Sequence, residues 1–173
     1  MEKNTVPNQP ASTKVTIRPW IEEDLSLLQS MNTEKMWEYL GGPETEEKVI
    51  DRHQRYLKAV PGKTRMFAIM FGVHPAGNVG YWETQWRDQD VYEIGWMVLP
   101  GFQGKGIAKR ATAKLLSILR TDAPHGFVHA FPSVDNLKSN AICEKLGFLF
   151  VGETNLEFPP GTWMKCNDWR FKL

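Results

Sequence analysis

Read by the period of its apolar positions, the chain divides into short stretches of alternating character and longer ones repeating near every 3.6 residues. Lys14 to Arg18 alternates and predicts a first strand that stops at Pro19. Glu22-Glu23-Asp24 then puts negative charge at a helix start, with Leu25, Leu28 and Met31 on the buried face. Gly41-Gly42-Pro43 is a break, after which Glu44 to Val60 predicts a second helix, acidic first and basic later, with Val49, Tyr56 and Leu57 apolar and Arg52 and His53 between them. Pro61-Gly62 ends it. A meander follows: a strand over Arg65 to Phe71, a turn over His74 to Asn78, a strand over Val79 to Trp86, and a polar turn over Arg87 to Asp90.

Val91 to Leu99 is apolar, β-branched and aromatic around the single Glu93, so it reads as a mostly buried strand ended by Pro100-Gly101. Gln103-Gly104-Lys105-Gly106 is a glycine-rich turn. From about Ile107 a helix begins, its apolar positions Ile107, Ala111, Leu115 and Ile118, with Ala108, Thr112, Leu116 and Leu119, recurring at helical spacing. Ala123 to Gly126 breaks the chain before a short strand at Phe127 to Phe131. Asp135 or Asn136 caps a further helix running to Leu146 and closed by Gly147. Phe148 to Glu153 and Thr162 to Leu173 are two final strands separated by Pro159-Pro160-Gly161. The order predicts one mixed sheet with helices on its faces, an α+β or α/β single domain over residues 14–173, preceded by a polar, proline-bearing tail at 1–13.

The strand, turn and helix from Val91 to Arg120 point to an anion. The first N–H groups of a helix lack intrahelical partners and lie at the positive end of its dipole, and glycines let a ligand approach the backbone. A helix start of this kind ordinarily carries Asp or Glu. Gly101 to Arg120 has neither, while Lys105, Lys109, Arg110, Lys114 and Arg120 are basic. An ordinary solvated basic face would share that composition, but a bound phosphate would supply the missing negative charge. The dinucleotide pattern G-x-G-x-x-G fails at Lys109, and the phosphate-loop pattern G-x-x-x-x-G-K-[ST] is absent.

The run Gln103-Gly104-Lys105-Gly106-Ile107-Ala108 resembles the [QR]-x-x-G-x-[GA] signature of the GNAT superfamily of N-acetyltransferases. The preceding YEIGWMV strand and the later NLKSNAICEKLGF segment resemble the same superfamily, in the right order. Together these features cover Val91 to Gly152, while Lys14 to Trp86 fits loosely. The resemblance implies a central, mostly antiparallel sheet flanked by helices, and direct transfer of the acetyl group of acetyl-CoA to a primary amine without a metal. It assigns the pyrophosphate to Gln103, Gly104, Lys105, Gly106, Ile107 and Ala108, the pantetheine to the backbone of Trp96, Met97 and Val98, and further cofactor contacts to Asn136 and Ser139. Simple capping by Asn136 and a solvent-facing Ser139 account for the same two residues. The opening Ile17-Arg18-Pro19 with Glu23-Asp24 resembles the ribosomal-protein N-terminal acetyltransferase branch, so the acceptor is a protein N-terminus or a small-molecule amine. The resemblance also brings a homodimer as an expectation.

Composition trims this picture. With 173 residues, 12% aromatic and seven Trp, the chain has enough for a packed core. A formal charge of +1 gives no reason to expect nucleic acid. No run reaches the roughly 20 apolar residues of a membrane span and no signal-peptide core opens the chain, so a cytoplasmic protein without membrane contact is expected. Cys143 and Cys166 make neither a disulfide framework nor a metal spacing, and His53, His74, His125 and His129 form no metal pattern.

Acetyl transfer to an amine needs a base, because a protonated amine has no lone pair and a Lys-like amine has a pKa of about 10.4. Glu93 is the candidate. A carboxylate in an apolar strand is costly to bury unless it is paired or functional, and burial raises its pKa. Some GNAT enzymes carry a general-base glutamate at this place. A strand-face Glu paired with a cation is the structural alternative. Many relatives also place a tyrosine acid just before the EK-x-GF run, where this chain has Cys143, which leaves the proton donor open. His129 reads as a satisfied core histidine or one that faces the cleft. Trp37 and Tyr39 line an acceptor pocket or pack in the core, and Trp82, Trp86 and Trp96 read as sheet-face packing. The rival function is a non-catalytic acyl-CoA-binding sensor, which the cysteine at position 143 keeps in view.

Overall fold

Alternation across the middle of the chain sends one set of side chains to each side of a sheet, and the meander it forms is the trunk of the molecule. The computed structural model describes residues 13–122 and 125–173. Its elements are β1 (Val15–Pro19), α1 (Leu25–Met31) after one 3-10 turn at Glu22–Asp24, α2 (Glu46–Leu57), β2 (Thr64–Phe71), β3 (His74–Trp86), β4 (Gln89–Val98), α3 (Ile107–Asp122) after a 3-10 turn at Pro100–Phe102, β5 (Phe127–Ala130), α4 (Leu137–Lys145), β6 (Leu149–Glu157) and β7 (Trp163–Lys172). They build a seven-stranded sheet in the order β1-β2-β3-β4-β5-β7-β6. Every neighbouring pair is antiparallel except β4 and β5, which are parallel. The expected mixed, mostly antiparallel α+β sheet is what the chain forms. Among the described residues no helix is long and apolar enough to cross a membrane.

The sheet carries a core on each side. On one, Ile107, Ala111, Leu115, Leu116 and Leu119 of α3 pack with Cys143 and Phe148 onto Phe67, Val79, Tyr81, Tyr92, Ile94, Val98 and Val128. On the other, Leu27, Leu28 and Met31 of α1 and Val49 of α2 cover Met66 and Ala68, with Met97 and Leu99 at the margin. Side chains two apart on a strand share a face, so β4 gives its even positions to the first core and its odd positions to the second side.

The β4–β5 ladder is short, and that shortness makes the site. Its only rungs among the described residues are Tyr92 with Val128 and Glu93 with His129. β4 then runs on to Val98 with no partner on its β5 side. β5 ends at Ala130, and Pro132 leads the chain toward β7, where its carbonyl accepts from Asn167 N–H at 2.9 Å. The two strands therefore part just beyond Glu93.

Three local expectations change. His74 to Asn78 is not a turn but the first part of β3; the reversal is at Gly72-Val73, and Pro75 is tolerated beside a register shift at Ile69/Met70 that spares it a ladder bond. Arg52 and His53, set between the apolar positions of α2, are themselves buried, which the sequence alone leaves unstated. Arg52 pairs with Glu44 and lies 4.4 Å over the Trp37 ring, while His53 Nδ1 accepts from Trp20 Nε1 at 3.0 Å. The cap of α2 is Thr45, which accepts from Lys48 N–H, so the helix starts after Glu44 rather than at it. β6 continues past Glu153 to Glu157. The expected tail at 1–13 lies outside the described residues except for Thr13, as do Ala123 and Pro124 of the break before β5.

Candidate active site

The glycine turn gives α3 an unusually open N-terminus. Gly104 and Gly106 hold φ of 77° and 67°, the left-handed region that a side chain resists. Among the described residues nothing accepts from the backbone N–H groups of Gly104, Lys105, Gly106, Ile107, Ala108 or Lys109; the first helical bond of this turn is Arg110 N–H to Gly106 carbonyl. No acid stands in the first turn. These unclaimed donors, at the positive end of a sixteen-residue helix, fit a pyrophosphate. The side chains nearby hold the turn in shape. Lys105 Nζ donates to Gly101 carbonyl at 3.1 Å, and Arg110 donates to Lys105 carbonyl at 2.9 Å. Ile107 is buried in the core and Ala108 half-buried, so those two residues face an anion only through their N–H groups.

Gln103 is placed differently from its neighbours. Its own N–H donates to Pro100 carbonyl, and its side-chain amide donates to Val98 carbonyl at 2.9 Å. It ties the turn to the end of β4 rather than offering a backbone donor. Val98 is thereby served by a side chain where a sheet would have supplied a strand. Trp96, Met97 and Val98 lie along the unpaired edge of β4, open to an extended arm that hydrogen-bonds as a strand would.

Glu93 stands where the strands part, half-buried on the face toward α1 and α2. Among the described residues its one hydrogen bond is from Trp82 Nε1 to Oε2 at 3.1 Å. Burial pushes its pKa from 4.5 up to about 7, and the Trp82 bond only partly opposes that rise. The cation expected of a structural strand Glu is absent among the described residues. Gly95, two positions on along the same face, makes room for the indole: a Cβ there would lie 3.1 Å from Trp82 Cη2. Trp82 is therefore a hydrogen-bond donor to the carboxylate as well as sheet packing.

Next to Glu93 on β5, His129 is buried and its Nδ1 lies 2.6 Å from Asp168 Oδ1. Asp168 is fully buried on β7; Trp86 Nε1 donates to its Oδ2 at 2.9 Å and Arg87 lies 3.7 Å from the same oxygen. Burial pushes the Asp168 carboxyl up, but the hydrogen bonds to His129 and Trp86 and the nearby Arg87 guanidinium together hold it below the ordinary carboxylate value. Asp168 was not a candidate from the sequence. Nothing local singled it out, because Lys165, Arg170 and Lys172 share its strand and an ordinary ion pair would account for one acid among them.

Cys143 is fully buried in the α3-side core, and burial pushes its pKa up to about 12. It is a packing residue whose thiol holds its proton. Asn136 caps α4, its Oδ1 accepting from Ser139 N–H at 3.1 Å, while Ser139 is half-buried. Trp37 is buried under Arg52. Tyr39 does line a crevice of about 240 Å³ between the α1–α2 loop and the β6–β7 hairpin, with Glu38, Gly41, Ser133, Asp135 and Phe158.

Comparison with known proteins agrees with this geometry. A model of the acetyltransferase (GNAT) domain matches residues 14–149. Aminoglycoside N(6')-acetyltransferase type 1 of Klebsiella pneumoniae is 26% identical over 168 residues, covering 89% of this chain and 83% of that protein. Among solved structures, the ribosomal L7/L12 alpha-N-protein acetyltransferase RimL superposes with a TM-score of 0.75 at 22% identity, covering 95% of this chain and 93% of that one. Aminoglycoside acetyltransferase AAC(6')-Ib in complex with coenzyme A gives 0.72 at 22% identity, covering 92% and 95%. The rival reading, a non-catalytic acyl-CoA sensor, finds no support in these relatives. An orphaned donor turn beside a parted pair of strands thus has its explanation: the chain belongs to the GNAT acetyltransferase family, and it transfers the acetyl group of acetyl-CoA to an amine.

Proposed function

We propose that the reaction is a direct transfer at the point where β4 and β5 part, with Glu93 as the base. Acetyl-CoA supplies the activated thioester. The N–H groups of Gly104 to Lys109 would bind its pyrophosphate, and the β4 edge from Trp96 to Val98 would align its pantetheine. Asn136 and Ser139, at the start of α4, would border the same arm. Glu93 takes a proton from the acceptor ammonium. The freed nitrogen lone pair then forms the C–N bond as the C–S bond breaks. The observation that carries the reading is the half-buried Glu93 at the apex of the splay, with no cation beside it among the described residues; burial lifts its pKa to about 7. A base of that pKa is ionised in a useful fraction at neutral pH and is stronger than an ordinary carboxylate.

The acceptor is a primary amine that reaches Glu93 from the α1–α2 side, past the crevice of Glu38, Tyr39 and Asp135. Lys165 also lines this crevice but is paired with Glu153, which leaves Glu38 and Asp135 to suit a cationic group, whether a protein N-terminus or a small polar amine. The relatives divide the same way, one being named for an aminoglycoside and the other for the N-terminus of a ribosomal protein. Action in the cytoplasm and pairing through a sheet edge belong to the same proposal. The test is release of free thiol from acetyl-CoA with a seryl peptide amide, spermidine and kanamycin as acceptors. Turnover of at least one, with kcat/KM rising through pH 7 to a plateau, is expected. A rate independent of pH between 6 and 8, or unchanged in Glu93→Gln, overturns the role of Glu93. Acetyl-CoA at a hundred times its Kd should also raise Tm by several degrees, from about 2.7 kcal/mol of added stability, and Gly106→Ala should reduce that rise.

A further inference from the structure

Resting on that reading of the Glu93 cleft, we propose that His129, oriented by Asp168, is a second proton acceptor for the amine and works beside Glu93. The orientation follows from hydrogen-bond chemistry. Asp168 is ionised and so can only accept, and Trp86 Nε1 already donates to one of its oxygens. The 2.6 Å contact to the other oxygen therefore requires the hydrogen on His129 Nδ1. The neutral ring then carries its lone pair on Nε2, and among the described residues no hydrogen bond involves that nitrogen. A buried carboxylate that fixes a tautomer also stabilises the imidazolium once a proton arrives.

Placement supplies the second argument. Glu93 and His129 are register partners on adjoining parallel strands, their side chains share a face, and they form the last rung before the strands part. The groups facing His129 are Glu93 from β4, Asp168, Arg170 and Cys166 from β7, and Arg87 near Asp168. Arg170 is directed over the Phe127 ring, its guanidinium carbon 5.0 Å from the centroid. Two carboxylates, Glu93 and Asp168, border the imidazole. Cys143, the residue in the place of the usual tyrosine, is buried away from this face with its proton held.

The stoichiometry of the reaction uses both acceptors. An ammonium that becomes an amide loses two protons from nitrogen. The first leaves before attack, to Glu93, freeing the lone pair. The second leaves after the C–N bond has formed, to His129 Nε2. As the C–S bond breaks, one of these protons goes to the departing thiolate and the other to water, and both side chains return to their starting state.

The decisive experiment compares His129→Gln, Asp168→Asn and the native protein in the thiol-release assay across pH 5.5 to 9. In His129→Gln, kcat should fall at least tenfold with KM for acetyl-CoA within twofold, and the acidic limb should lose one of its two ionisations. Asp168→Asn should fall in the same direction. A kcat within twofold of native, with only Tm lowered, makes the pair a structural ion pair and overturns the proposal. Long-range ¹H–¹⁵N correlation spectra of the native protein test it without turnover. Nδ1–H with an Nε2 resonance that moves on adding CoA supports it, and an Nε2–H tautomer overturns it. If native protein acetylates no amine in the panel, the acceptor reading fails at that step, while the tautomer still decides the His129 assignment.

Discussion

The two faces of β4 are made from the same short run of residues and do opposite work. Tyr92, Ile94 and Val98 point toward α3 at 0%, 3% and 8% exposure, closed in by an aliphatic helix stripe. Glu93, Gly95 and Met97 point the other way and are only half-buried, because α1 and α2 cover β2 and the far end of β4 but not the point where β5 departs. One face is closed to water and gives stability. The other keeps a carboxylate short of water and short of partners, which costs stability and gives a base. A shift of one residue along a strand is enough to separate the two functions.

The largest effect that would break this comparison is at Glu93. Glu93→Gln should lower kcat/KM by about 10²- to 10⁴-fold, the usual contribution of a positioned general base. Stability should move the other way. The folded pKa of about 7 lies above the unfolded 4.5, so the native state loses stability as pH rises between those values and bears the full penalty above pH 7. That penalty is at most about 3 kcal/mol. Thermal unfolding at pH 8 should show Glu93→Gln several degrees more stable than native, and at pH 4 no more stable. Loss of stability at pH 8 would mean the carboxylate is held by a partner after all.

Ile94→Ala, one residue away, should do the reverse. Removing a buried aliphatic side chain leaves a cavity and costs about 2–5 kcal/mol. Urea unfolding should show that loss, while kcat/KM at 20 °C stays within a few-fold because nothing on the Glu93 face has changed. A large kinetic defect in the folded Ile94→Ala protein would show that the faces are not independent.

How much of this division was legible in the sequence follows from which forces act locally. The strand around Glu93, the glycine turn and the acid-free start of α3 are written in contiguous residues, and the structure keeps all of them. The fold class followed from the order of such segments. The partners of Glu93 were not legible, since Trp82 is joined to it only by the β3–β4 register and His129 only by the parallel rung to β5. Asp168 lies 39 residues from His129 along the chain, and only the β5–β7 pairing brings them together. The turn was misplaced at His74 to Asn78 because Pro75 and Gly77 signal a break locally, whereas pairing with β2 and β4 extends the strand through them. The burial of Arg52 and His53 was not legible for the same reason: Glu44, Trp37 and Trp20 satisfy them, and none is a helical neighbour.

The smallest effect, and the finest test of the comparison, is at the hydrogen bond from Trp82 to Glu93. Trp82 Nε1 donates to the charged carboxylate and so opposes the rise in its pKa. Trp82→Phe keeps an aromatic ring on the face and removes the donor. A hydrogen bond to a charged group is worth about 1.5–3 kcal/mol at most in a dry setting and less in a half-buried one, so the Glu93 pKa should rise by about one unit. The acidic limb of kcat/KM should move to higher pH by that amount, while the plateau rate above pH 9 stays near native, since the base itself is intact. Gly95→Ala should produce part of the same shift, because its methyl group would press on the indole at 3.1 Å and draw the N–H away. If Trp82→Phe lowers the plateau without moving the limb, the indole positions the acceptor rather than tuning the base, and the open face of β4 owes its chemistry to shape more than to charge.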